Sequence, residues 1–229
     1  MTQSNKRWNP KTVPDEFQAF LVRNAFFTSN EEYPILRKDM VPEEPPCKIV
    51  PFEKAINCHG DLSDTFICTF SPDRTFKRIL LNPRKYVEFF KRTAGIIGFD
   101  FSIHGDMPMV KQKGQINDNL SLTYYYGNLG IPIIPNIRCG SDELLPEFLQ
   151  AIPKESMVAI GTHGFIKHNY EKYEWRNFLD QILPALRPSN LIVYGTLNGP
   201  LFDDIKDSIP VLEYEPWSTT RRKEALNDN

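Results

Sequence analysis

The chain has 229 residues, a net charge of −2, and apolar and charged fractions of 41% and 24%. These are the values of a folded globular chain, and they exclude a disordered tail, a collagen-like repeat and a histone-like polycation. Nineteen prolines are scattered at element edges, and sixteen phenylalanines predict an aromatic-rich core.

Residues 1–47 are expected to form an irregular segment packed on the main domain. Met1 to Pro14 is polar and lacks the apolar centre of a signal peptide. Asp15 to Arg23 predicts a short helix, with Phe17, Phe20 and Leu21 on one side at helical spacing. Val41-Pro42-Glu43-Glu44-Pro45-Pro46 cannot be a helix interior or a central strand, because proline supplies no backbone donor.

From residue 48 the pattern becomes regular, and residues 48–217 are expected to form one α/β domain. Seven short apolar runs rich in Ile, Val and Phe predict strands: 48–52, 65–70, 95–101, 131–137, 156–161, 191–194 and 209–214. Helical stretches lie between them. Asn82-Pro83 reads as N-cap and first residue of a helix over 84–93. Residues 141–152 carry Leu144, Leu145, Phe148, Leu149 and Ile152 at helical spacing, with Pro146 in the first turn. Residues 168–186 carry one apolar stripe, and Pro184 is expected to kink or end that helix. Residues 107–129, with Gly114 and Gly127, suggest a broken helix. The last residues, 218–229, read as a polar tail.

Strand–helix alternation predicts parallel strands with right-handed crossovers. Two architectures satisfy it, a compact (β/α) barrel and an open doubly wound sheet, and the barrel is the favoured expectation. No GxGxxG or GxxxxGK[ST] motif recruits a dinucleotide or a phosphate loop.

The carboxyl ends of parallel strands are where such folds bind ligands. Alternation places Ile97, Phe99 and Phe101 on one face of the third run. Ile96, Gly98, Asp100 and Ser102 then look into the barrel. Asn136 and Arg138 follow Ile134 at the same parity. His163 follows the fifth run between Gly161 and Gly164, Thr196 follows the sixth, and Glu213 ends the seventh. Asp100, His104 and Asp106 form the sharpest local cluster. Two carboxylates around a histidine could serve acid–base chemistry or hold a divalent cation. Asp106 could instead cap the helix that follows it. Arg138 could hold a phosphate or carboxylate, or pair with Asp100 inside the mouth.

The cysteines, Cys47, Cys58, Cys68 and Cys139, show no CxxC spacing, which fits free thiols in a reducing cytoplasm. Cys58-His59 has no second pair to complete a zinc site. No apolar stretch reaches the ~20 residues of a membrane span, so no membrane association is expected. Seven basic residues between Arg74 and Arg92 face two acids, and they read as a solvated face or as a phosphate-backbone contact.

The blocks GFDFSIHGDMP, YYYGNLGIPIIPNI, AIPKESMVAIGTHG and LPALRPSNLIVYG, spread over residues 48–196, resemble a domain-of-unknown-function family, DUF4417, carried by bacteriophages and mobile elements. Asp100-Phe101-Ser102 and Asp106-Met107-Pro108 match its pattern. Relatives tend to carry an aromatic residue after the IP-containing strand, where this chain has Arg138-Cys139. The resemblance implies a phage or prophage protein in a bacterial host cytoplasm and implies no established reaction. Together these readings lead to two expectations. One is an enzyme acting on a nucleotide, a nucleic-acid base or a similar phosphorylated ligand. Asp100, His104, Asp106 and His163 would supply its chemistry, and Ser102, Asn136, Arg138, Thr196 and Glu213 would bind the ligand. The other is a non-catalytic protein that blocks a host replication or defence protein through an exposed aromatic patch such as Tyr124 to Tyr126.

Overall fold

A computed structural model describes Asp15 and residues 17–162, 169–197 and 199–220. Each of the seven predicted strands is present. They are β1 (Lys48–Pro51), β2 (Leu62–Cys68), β3 (Thr93–Ile97), β4 (Ile133–Ile134), β5 (Val158–Gly161), β6 (Leu191–Tyr194) and β7 (Val211–Tyr214). All pair in parallel, as β1-β2-β3-β4 and β5-β6-β7. A parallel bridge between Asn136 and Ala159 joins the two sheets, with Ile137 N–H donating to Ala159 and Ala159 N–H to Pro135 at 2.8 Å each. The spatial order therefore follows the chain. Among the described residues no ladder returns from β7 to β1, so the barrel is not closed and the sheet is open. Strand β4 is short because Pro132 and Pro135, which lack N–H groups, bracket it.

The two faces of this sheet bury different residues. Ile49, Phe66, Cys68, Ile97, Ile134, Ala159, Ile192 and Tyr194 form an inner cluster with Leu212 and Tyr214, drawn from every strand. Val50, Ile67, Ile96, Ile133, Val158, Ile160, Leu191 and Val193 face the larger core under the helices. Every strand thus turns one face to a shared inner cluster although the hydrogen bonding stays open. The Tyr214 hydroxyl donates to the Pro46 carbonyl at 2.5 Å, which brings β7 to the approach of β1.

The helices are α1 (Phe52–Ala55), α2 (Lys77–Leu81), α3 (Val87–Phe90), α4 (Met109–Asn128), α5 (Leu145–Gln150), α6 (Asn169–Leu186) and α7 (Asp203–Ser208). Three expectations need correction. Residues 107–129 are not broken, because Gly114 faces open solvent and Gly127 lies in the last turn of α4, against Met40. Gly130 takes a left-handed conformation (φ 81°) and closes α4 through its N–H to Gly127. Residues 83–90 form a 3₁₀ turn followed by the short α3 instead of one helix, and Thr93 already belongs to β3. Pro184 lies inside α6, which runs on to Leu186, so of the two alternatives read for it the helix end at Pro184 does not hold.

The core is aromatic, as the phenylalanine count predicts. Phe90 packs on Tyr126 at 4.7 Å and Phe76 on Phe101 at 4.7 Å. Residues 17–47 contribute to the same core through Leu21, Tyr33, Leu36 and Met40. The expected helix there is a single 3₁₀ turn, Ala19–Val22, and the Asp15 carboxylate accepts from the N–H groups of Ala19 and Phe20.

Candidate functional site

Strand β3 ends at Ile97, and the course of the chain beyond it decides where the acidic cluster goes. The alternation expected through Ser102 does not hold, since Ile97 lies inside and Ile96 under the helices. Beyond Gly98 the backbone leaves the ladder, and α4 takes over its hydrogen bonds. Thr123 accepts from Phe99 N–H (3.2 Å). Asn119 accepts from Phe101 N–H (2.7 Å) and donates to Phe101 C=O (3.2 Å). Gln115 donates to Ser102 C=O (3.3 Å). These three side chains lie four residues apart on one helix face, so they meet successive stretches of the departing strand. Phe99 and Phe101 then pack under α4, and Asp100 turns to the strand ends.

Asp100 is 8% exposed. Its N–H donates to Thr69 Oγ1 at 2.9 Å, and its Oδ1 accepts from Asn136 Nδ2 at 2.7 Å. Arg138 Nη1 lies 3.6 Å from Oδ2 and Nη2 donates to Ile103 C=O. Burial pushes the Asp100 carboxyl up to about 6. Arg138 and the Asn136 bond pull it down, and the nearby Asp73 raises it further. Asp73 in turn accepts from the Ser102 hydroxyl at 2.8 Å and the Ser102 N–H at 3.2 Å. The rims of β2, β3 and β4 therefore carry one connected polar group: Thr69, Asp73, Asp100, Ser102, Asn136 and Arg138.

Asp100, Asn136 and Arg138 lie together, with Ser102 joined to them through Asp73, although the parity expected for β3 fails, and the Arg138–Asp100 pairing is one of the two alternatives read from the sequence. Thr69 and Asp73 are not among the sequence candidates. They follow β2 in Thr69-Phe70-Ser71-Pro72-Asp73, a polar strand end whose Thr69 has the parity of the helix-facing Ile67 and whose Asp73 lies in a 3₁₀ turn, so alternation does not find them. Phe70 also reaches across the mouth. It stacks on Tyr194 at 5.3 Å and lies over Gly161, where a Cβ would meet its ring at 2.5 Å.

The other candidates lie apart. His104 and Asp106 are exposed in the turn before α4, and among the described residues no hydrogen bond or ion pair joins either to Asp100. Asp106 does not cap α4, which begins after Pro108 with no side-chain cap. Thr196 is exposed, and its N–H and C=O bond the Thr162 hydroxyl at 3.0 and 3.1 Å. Glu213 accepts from Leu197 N–H (3.0 Å) and pairs with Lys206 of α7 (2.8 Å), which places it toward the helices. His163 lies outside the described residues. Tyr124 and Tyr126 are buried, so this stretch is not an exposed aromatic patch.

Burial pushes the Cys139 thiol up to about 12, the wrong direction for a nucleophile. Cys58 is exposed, and among the described residues no group of three His, Cys, Asp or Glu side chains is placed to hold a metal ion. A cleft of about 390 Å³ lies between α6 and α7, lined by Arg176, Asp180, Pro184 and Asp204, none of them at the rim. No helix among the described residues is long and apolar enough to cross a membrane.

Comparison with known proteins extends these observations. The chain is 25% identical over 224 residues to the Gene 1 protein of Mycobacterium phage L5, covering 97% of this chain and 94% of that protein. It is 23% identical over 229 residues to the Gene 1 protein of Mycobacterium phage D29, covering 99% and 82%. No solved structure matches the chain. Residues 27–215 match the family described as Domain of unknown function (DUF4417). The match spans most of the chain, and the chain therefore belongs to the DUF4417 family, a phage-carried domain of unknown function.

Proposed function

We propose that the protein is an enzyme acting on a nucleotide or a similar phosphorylated ligand at the joined rims of β2, β3 and β4. One observation carries this reading: a buried carboxyl, Asp100, sits at the strand ends between Asn136 and Arg138 with its proton affinity raised to about pH 6. A carboxyl near neutrality both takes and gives a proton, as a general acid–base group must. Arg138 is the cation of this rim and suits a phosphate or carboxylate by its planar array of donors. Asp73 and Ser102 position the segment that carries Asp100. Asp100 is the acid–base residue of this proposal, and His104, Asp106, Thr196 and Glu213 are not part of it.

The test uses inorganic phosphate and a panel of nucleoside mono-, di- and triphosphates, read by thermal shift and by chromatographic detection of product. The reading expects at least one nucleotide to raise the melting temperature, and Arg138→Gln to abolish that rise. Asp100→Asn should keep the fold and lose turnover. An Asp100→Asn protein that turns over substrate at the wild-type rate contradicts the reading, and so does the absence of any shift across the panel.

A second reading, binding of a host replication or defence protein, has its own support. Phe17 is 96% and Leu81 72% exposed. The Gln18 side chain donates to Leu80 C=O at 2.8 Å, which brings their two stretches together. Exposed apolar side chains of this size favour a protein partner. Replacement of Phe17 and Leu81 by serine should abolish capture of such a partner and leave nucleotide binding unchanged.

A further inference from the structure

The crossover from β2 to β3 carries a feature that the rim does not use. Residues 73–92 leave the carboxyl end of β2 and enter the amino end of β3, so they run the full height of the sheet. Arg74, Lys77, Arg78, Arg84, Lys85, Lys91 and Arg92 lie along this path, and all seven are exposed. Asp73 and Glu88 are its only acids, so the segment nets +5. With an overall charge of −2, the rest of the chain nets −7. The positive charge is segregated onto one crossover.

These cations are little occupied by carboxylates. Among the described residues, Lys91 pairs with Glu88 at 3.0 Å, an exposed contact within the same stretch. Arg84 lies over the Phe20 ring at 4.1 Å and Arg78 over the Phe52 ring at 5.0 Å. A guanidinium stacked on a ring keeps its N–H edge directed to solvent and loses little freedom when it meets an anion. The path is long enough for a polymer. Strands of five to seven residues rise ~3.3 Å per residue, roughly 17–23 Å in all. One DNA strand places a phosphate every ~3.4 Å along its axis, so five to seven phosphates fall over that height.

We infer that the 74–92 surface binds the phosphate backbone of a nucleic acid, without reading its sequence. The cations follow one another along a crossover that runs from the carboxyl end of β2 to the amino end of β3, which fits a chain of repeated charges better than a single compact anion. This surface is separate from Asp100, and its assignment does not rest on the rim chemistry.

The experiment is fluorescence anisotropy of a labelled 20-nucleotide single-stranded DNA against the full-length protein at 50–200 mM NaCl. Five phosphate contacts predict a log–log salt slope near −3.5, so affinity should fall roughly 130-fold over this range. The charge reversal Arg74→Glu/Lys77→Glu/Arg92→Glu changes side chains that make no ion pair among the described residues, and it should weaken binding by about tenfold or more at 100 mM salt. Its melting temperature should match the wild type. Asp100→Asn should bind DNA as the wild type does, which separates this inference from the proposed chemistry. A salt-independent affinity overturns the inference. Unchanged binding by the triple variant overturns it as well. So does equal binding of poly-glutamate at the same charge concentration, since the surface would then be a general polyanion site.

Discussion

The two halves of the sheet treat the same topological position differently. At the carboxyl ends of β2, β3 and β4, polar side chains from three strands bond to one another and enclose Asp100. At the ends of β5, β6 and β7, among the described residues, Thr162 and Glu213 make local contacts. Thr162 ties the backbone at Thr196, and Glu213 holds Leu197 and Lys206. A polar strand end becomes a candidate site only where its neighbours leave a charged group buried and close to another. The cause is α4. Its side chains bond Phe99 N–H, both groups of Phe101 and Ser102 C=O, while Thr69, Asn136 and Asp73 take groups between, so the segment leaves the ladder with these peptide groups paired and carries Asp100 into the sheet's mouth.

The sharpest way to break this contrast is to remove that support. Asn119→Ala strips both bonds from Phe101 and leaves a buried N–H and C=O unpaired. It should cost about 2–4 kcal/mol in urea unfolding. A loss below about 1 kcal/mol would mean that α4 does not hold the segment.

The next effect is a pH dependence. The Asp100 carboxyl titrates near 6 in the folded chain and near ~3.9 when unfolded, so the native state binds the extra proton between those values. Stability should therefore fall as pH rises from about 4 to 6, by on the order of 2–3 kcal/mol from this group. Asp100→Asn should flatten that part of the profile, measured by denaturant midpoints at several pH values. Thr162→Val comes third. It should cost about 1 kcal/mol and leave the Asp100 titration where it was, because the β5–β7 rim is separate. The smallest effect is Asp73→Asn, which should lower the Asp100 midpoint by a few tenths of a unit, since Asp73 raises it.

Much of this is legible in the sequence. Short apolar runs locate every strand, and parity after Ile134 brings Asn136 and Arg138 to one place, with Asp100 across from them. Three things are hidden for physical reasons. The alternation past Ile97 fails because side chains of a distant helix replace the ladder there. The continuity of α4 depends on Gly114 facing solvent, which its neighbours in sequence do not reveal. The β5–β7 strand ends look as polar as those of β3 and β4, yet Thr162 bonds backbone groups and Glu213 takes Leu197 N–H and Lys206, which only the packing selects. Asp73 is hidden as well, because it lies beyond Pro72 in a 3₁₀ turn where strand alternation no longer applies.

Everything proposed for the rim depends on Asp100 being a buried carboxyl that titrates near neutrality. The direct measurement is a side-chain carboxyl ¹³C titration by NMR, assigned by comparison with Asp100→Asn. A midpoint near pH 6, moving higher in Arg138→Gln, is the predicted result. A midpoint below 4, unmoved by Arg138→Gln, would contradict it.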